Sequence, residues 1–132
     1  MIKFLFLLIL ISCGPNSLED FQKEGESFSR RFANELKEIQ SRDELAKAAP
    51  HLKTRFNELV DLVIAAQTYA DRHLDECLFD PTENPYSNEL RLQLERLYRL
   101  EGGREMIEKA QKEALIRLDA FEKKCDLKKR GI

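Results

Sequence analysis

Glycine and proline are scarce in this chain, five and four among 132 residues. Sandwiches and barrels use turn residues between all their short strands, so this scarcity, beside 35% charged residues, argues for helices. Neither charge sign is in excess: 22 Lys and Arg face 24 acids, for a net charge of −2. That balance implies no strongly basic face for nucleic acid. A long hydrophobic run is missing as well. The longest, Phe4 to Ile11, has eight residues, about 12 Å as a helix against a hydrocarbon core of about 30 Å, so it cannot span a bilayer. There is no Gly-x-Ser-x-Gly, no phosphate-loop pattern and no His-Glu-x-x-His, so no nucleophile-and-base set is apparent and an enzyme is not expected. What the chain does have is 42% hydrophobic residues, too many for a wholly disordered polymer, and a length that suits one domain.

The first dozen residues differ from the rest. Lys3 is the only charge before Glu19, the apolar run follows it, and Ser12, Cys13, Gly14 and Pro15 come next. A charged start, a short apolar stretch and a small residue form the layout of an export signal. Leu10-Ile11-Ser12-Cys13 resembles the lipobox of bacterial lipoproteins: an aliphatic residue, a tolerated second residue, a small residue, then Cys. The resemblance covers only residues 1 to about 16. It implies that residues 1–12 are a signal peptide, that the chain is cut before Cys13, and that Cys13 carries diacylglycerol and an N-acyl (palmitate-type) chain. Several acyl chains on one residue would hold the protein on a membrane stably, at about 0.8 kcal/mol per buried methylene. In the enteric lipoprotein pattern Asp after the Cys retains the protein at the inner membrane. Gly14 stands there in this chain, so the resemblance points to the outer membrane. Residues 13–17 would be the lipidated Cys and a short tether, and 18–132 a helical domain lying close to the headgroups.

Beyond the tether the hydrophobic pattern is helical. Leu18, Phe21, Gly25, Phe28, Phe32, Leu36 and Ile39 recur in steps of three and four, which predicts a first helix over about 17–40, capped by Asn16 or Ser17. Phe21, Phe28 and Phe32 are read as core packing ahead of a docking stripe. Ser41 with Glu44 makes a capping box opening a short helix at 43–49. Pro50 predicts a break, then a second helix over about 50–79 with the stripe Leu52, Phe56, Leu59, Val63, Ala66, Ala70, His73 and Cys77. Residues 59–66 contain only Asp61 as a polar residue, which places that helix at the centre of a bundle or at a dimer interface. The prolines and turn formers of 80–87 make a loop.

From Leu90 the stripe runs through Leu94, Leu97, Leu100, Gly103, Ile107, Ala110, Ala114, Leu118, Phe121 and Cys125. A turn normally resets such a phase, and this one carries through Gly102-Gly103 without a slip. The favoured reading is therefore one kinked helix over about 88–127. The expected fold is an all-α antiparallel three-helix bundle with coiled-coil-like packing, or four helices if Gly102-Gly103 turns the chain.

Cys77 and Cys125 are the remaining redox candidates, in a compartment where disulfides are permitted. On a continuous third helix they lie at opposite ends of the bundle and cannot bridge; a turn at Gly102-Gly103 brings them to one end. Two separate small hydrophobes is the plainer reading. His73, Glu76 and Cys77 share a helix face, but no second cluster completes a zinc site, so no metal and no cofactor are expected. Gly102-Gly103-Arg104 lacks the preceding strand of a phosphate loop. The basic end, Lys123, Lys124, Lys128, Lys129 and Arg130, complements a helix C-terminus and can also reach anionic headgroups. The sequence thus suggests a lipid-anchored protein-interaction or scaffold module of the bacterial envelope, with a protein partner or a second copy as its contact. The rivals are a subunit of a larger envelope or secretion complex and a binder of small apolar ligands.

Overall fold

The computed structural model describes residues 17–73, 85–129 and 131. They form four helices and, among the described residues, no strand: α1 (Leu18–Lys37), α2 (Arg42–His73), α3 (Pro85–Tyr98) and α4 (Gly103–Lys129). The all-helical expectation holds. The three-helix count does not.

The start of α1 is set by Ser17, whose extended backbone lets its hydroxyl accept from the Asp20 amide at 3.1 Å. The start of α2 is set by the capping box. Ser41 Oγ accepts from the Glu44 amide at 3.2 Å, while the Glu44 carboxylate accepts from the Gln40 amide at 2.8 Å. The helix then continues through Pro50, contrary to the expected break between 43–49 and 50–79. Proline leaves the Ala46 carbonyl without its helical donor. Pro50 and Ala46 both lie on the exposed face, where water can serve that carbonyl, and burial of Leu45 and Leu52 on the opposite face holds the two segments in line.

The larger correction is at Gly102-Gly103. The chain turns between Tyr98 and Gly103, so the continuous helix over 88–127 does not form. The Arg99, Leu100 and Gly103 amides donate to the carbonyls of Arg96, Leu97 and Leu100 at 2.8–3.2 Å. Each bond closes a three-residue step. The turn therefore preserves the three-residue spacing of the stripe while the helix axis reverses, which is why the phase argument failed. Gly102 sits at φ +71°, a left-handed conformation that favours glycine, and its carbonyl accepts from the Met106 amide, the first bond of α4. A Cβ on Gly103 would stand 2.0 Å from the Leu97 carbonyl oxygen.

Helix directions follow from side-chain partners. Phe21 packs on Tyr69, Phe32 on Phe56, and Glu35 pairs with Arg55, so α1 and α2 form an antiparallel hairpin. The short turn makes α3 and α4 a second antiparallel hairpin. Between the hairpins the pairing is parallel. Lys53 reaches Glu113 at 3.0 Å, Arg117 reaches Asn57 and Asp61, and Arg42 lies beside Gly102. Partners on α2 and α4 are thus about 60 positions apart, and Arg96 on α3 reaches the Leu36 carbonyl on α1 at the same separation. The main packing pairs are α2 with α4 and α1 with α3, so the order around the bundle is α1, α2, α4, α3. Both turns, 38–41 and 99–102, lie at one end.

The stripes meet inside. Phe32, Leu36, Leu45, Leu52, Leu97 and Ile107 are the largest fully buried side chains, joined by Phe56, Val60, Leu90, Ala110 and Ala114. Phe21 and Phe32 are buried and Phe28 packs edge-on against Phe32, which makes the aromatic stripe core. Leu62, Val63 and Ile64 remain half exposed, so that apolar stretch of α2 is not enclosed on all sides among the described residues.

Candidate functional site

Two ends of the bundle differ in what they gather. At the end away from the turns, Ser17, the cap of α1, stands four residues after Cys13. Cys13 itself, like Cys77, lies outside the described residues. The α1–α2 hairpin puts Phe21 level with Tyr69, and the 60-position offset between α2 and α4 puts Tyr69 level with residue 129. The last turns of α4 therefore stand at the end from which the N-terminal segment leaves. Lys123, Lys124 and Lys128 are exposed there, and so is Leu127 at 50%. Cys125 is half-buried in the core phase of the same turns. On an uninterrupted third helix all of these would have stood at the opposite end.

At the turn end, Glu95, Tyr98, Arg99, Arg104 and Glu108 line a shallow depression open to solvent. Three of its side chains are paired, Arg104 with Glu108 at 3.0 Å and Glu95 with Arg91 at 3.0 Å. The Gly103 amide is spent on the Leu100 carbonyl, so the Gly102-Gly103-Arg104 segment is a turn whose first helical amide does not face outward for an anion.

The most connected polar group sits between these ends, on the flank of the first hairpin. Arg55 donates to both Glu35 oxygens, Nε to Oε2 at 3.1 Å and Nη2 to Oε1 at 2.9 Å. It also donates through Nη1 to Glu58 at 2.8 Å. His51 Nε2 lies 3.1 Å from Glu35 Oε2. Burial pushes the Glu35 carboxyl up, but the hydrogen bonds and charges of Arg55 and His51 outweigh it and hold the group below its ordinary value. The Arg55 guanidinium is raised by its bonds to Glu35 and Glu58. A carboxylate that is held ionised and already takes three donors is a poor proton acceptor near neutral pH. The cluster clamps α1 to α2.

A second clamp joins the hairpins. Arg96 on α3 donates to the Leu36 carbonyl at 2.7 Å and to the Ile39 carbonyl at 2.9 Å, capping the open C-terminus of α1. Lys37 pairs with Glu89 at 3.0 Å across the same interface, and that hydrogen bond, with one from Gln93, holds the Glu89 carboxyl below its ordinary value. Neither clamp was legible in the sequence. Glu35 and Arg55 are 20 positions apart, and Arg96 finds its carbonyls about 60 positions away. Only an assumed α1–α2 hairpin would have paired residues 35 and 55.

Among the described residues no group of three His, Cys, Asp or Glu side chains is placed to hold a metal ion. The His73, Glu76 and Cys77 face lies outside the described side chains. No described helix is long and apolar enough to cross a membrane. No known protein family, curated protein or solved structure matches this chain.

Proposed function

We propose that this protein is a bacterial lipoprotein whose helical bundle works as a non-enzymatic interaction or scaffold module of the cell envelope, held at the outer membrane by acylated Cys13. The observation that carries the reading is the order Lys3, apolar run, Leu10-Ile11-Ser12-Cys13. The cap at Ser17 supports it, because it stands only four residues beyond the proposed anchor, within about 14 Å of extended chain. The bundle would then stay at the headgroup surface. Confinement of that kind raises effective concentration toward any envelope partner without new contacts.

The rival readings draw less support. A subunit using a long third helix for assembly loses that element, since α3 ends at Tyr98. A binder of apolar ligands needs an enclosed apolar cavity, and the depression described at the turn end, lined by Glu95, Tyr98, Arg99, Arg104 and Glu108, is open to solvent.

The test is metabolic labelling with a palmitate analogue, with intact mass and membrane fractionation of the wild type and Cys13→Ser. The wild type should be labelled, shortened by residues 1–12 and sedimented with membranes; the serine variant should lose the label. Equal processing and membrane retention of both chains would refute the anchor. Pull-down of the anchored form with mass spectrometry then identifies the partner, a second copy included.

A further inference from the structure

We propose that the C-terminal half of α4 is a second membrane contact that lays the bundle on anionic phospholipid headgroups. The proposal rests on the lipoprotein reading for its anchor, but the face itself is a property of α4. At 100° per residue, Ile116, Ala120, Lys123 and Leu127 fall within about 60° of one another. Lys124 borders this strip on the side toward α2, and Lys128 lies a further 40° or so round on the same side. The core phase, Ala114, Leu118, Phe121 and Cys125, lies on the opposite side. Ile116 is 60% exposed and Leu127 50%, and Lys123, Lys124 and Lys128 are exposed and make no salt bridge among the described residues. The acids of the segment, Asp119, Glu122 and Asp126, cluster on the other flank. Apolar side chains between cations on the outer face of a helix is the pattern of an interfacial helix, which inserts its aliphatic groups shallowly while the ammonium groups meet lipid phosphates.

Position supplies the second argument. The reversal at 99–102 returns α4 to the end of the bundle where Ser17 and the start of α1 stand, four residues along the chain from Cys13. α1, which carries Glu19, Asp20 and Glu24 at that end, is diagonal to α4 across the bundle, and Glu19 is paired with Lys23 at 3.4 Å. Tilting α4 onto the bilayer therefore carries the acidic start of α1 away from the headgroups. The tether of residues 13–17 spans at most about 14 Å, about the diagonal of a bundle whose neighbouring helix axes lie about 10 Å apart, so the start of α1 can rise from the headgroups by no more than that.

The experiment uses the acylated full-length product in vesicles of phosphatidylcholine alone or with phosphatidylglycerol, treated with an impermeant amine-reactive ester and read by mass spectrometry. Lys47, exposed near the turns about 24 Å along the bundle axis, is the reference. Lys123, Lys124 and Lys128 should react at least threefold more slowly on the anionic vesicles than on neutral ones. Lys47 should be unchanged, and the protection should vanish in high salt. Equal reactivity at both ends overturns the proposal. So does protection that is the same on neutral vesicles, or that appears only when envelope proteins are added. The unacylated Cys13→Ser chain should still sediment with phosphatidylglycerol vesicles at low salt. The Lys123→Glu, Lys124→Glu, Lys128→Glu variant, altered only at exposed positions, should lose that binding by roughly fivefold or more per site. The mass of the N-terminal peptide in the same samples reports acylation separately. A bare Cys13 sinks the lipoprotein reading, and vesicle binding of the serine chain decides the basic face.

Discussion

Alanine at Gly102 and Gly103 gives opposite signs for a turn and for a continuous helix. In an uninterrupted helix each Gly→Ala change gains roughly 1 kcal/mol, so the double variant would gain about 2. The observed geometry reverses this. At Gly102, φ +71° forces alanine into the left-handed region at a cost of about 1 kcal/mol, although its Cβ would meet nothing closer than 3.6 Å. At Gly103 the new Cβ would lie 2.0 Å from the Leu97 carbonyl oxygen, 3.1 Å from its carbon and 3.3 Å from Leu100 Cβ. The obstacle is backbone, and Leu97 is fully buried, so the turn must move by about 1 Å within a packed core, which places the cost near the top of the overpacking range, about 3 kcal/mol. The double variant should lose about 4 kcal/mol, or roughly 15 °C in Tm for a domain of this size. Thermal and urea unfolding followed by circular dichroism measure it. Gly25→Ala is the control, since Gly25 lies inside α1 with only Leu62 Cδ2 at 4.0 Å, and alanine there should stabilise by about 0.5–1 kcal/mol. A double variant that melts at or above the wild type would overturn the turn and restore the continuous helix.

Arg96→Ala should cost about 1.5–3 kcal/mol in urea unfolding, because it removes the charged donor that the Leu36 and Ile39 carbonyls share, the Leu36 carbonyl keeping the Ile39 amide at 3.1 Å. Arg96→Lys should recover less than half, since an ammonium lacks the fork that serves both oxygens; full rescue by lysine would show that only charge matters. Glu35→Gln should cost about 1 kcal/mol at pH 7, a figure kept low because the site is partly exposed. Folding lowers the Glu35 pKa, so on acidification the unfolded chain takes up this proton first, near pH 4.3. The stability gap between wild type and variant should therefore be full above about pH 5 and close as pH falls through the lowered folded value. A gap that does not narrow as the pH falls below about 4 would refute the assignment. Phe32→Ala should cost about 4 kcal/mol, as the ring is fully buried against Phe28 and Phe56. A loss under 1 kcal/mol would mean that this layer is not packed as described.

Much of the local structure could be read from residue order. Ser17 and Ser41 are caps because a hydroxyl one residue before a helix satisfies amides that nothing else reaches, and that chemistry lies within four positions. The apolar stripes predicted the core nearly residue by residue, from Phe21 to Ile39 and from Leu90 to Ala114, because burial on one face imposes the helical period. Pro50 misled because its penalty is local, whereas the burial of Leu45 and Leu52 that offsets it is tertiary. Gly102-Gly103 misled for another reason: a turn built from three-residue hydrogen-bonded steps leaves the spacing of buried residues intact, so periodicity carries no record of the reversal.

Residue order alone settled helix as the backbone state, the Ser41 cap and which faces turn inward, since each depends on neighbours within a turn or two; for the first cap it left Asn16 and Ser17 as alternatives. Folding decided the number of helices, the parallel match of α1 with α3 and α2 with α4, and the return of the basic end of α4 to the start of α1. Those outcomes depend on groups about 60 positions apart, Arg96 with the Leu36 carbonyl and Arg117 with Asn57, whose meeting no local pattern encodes.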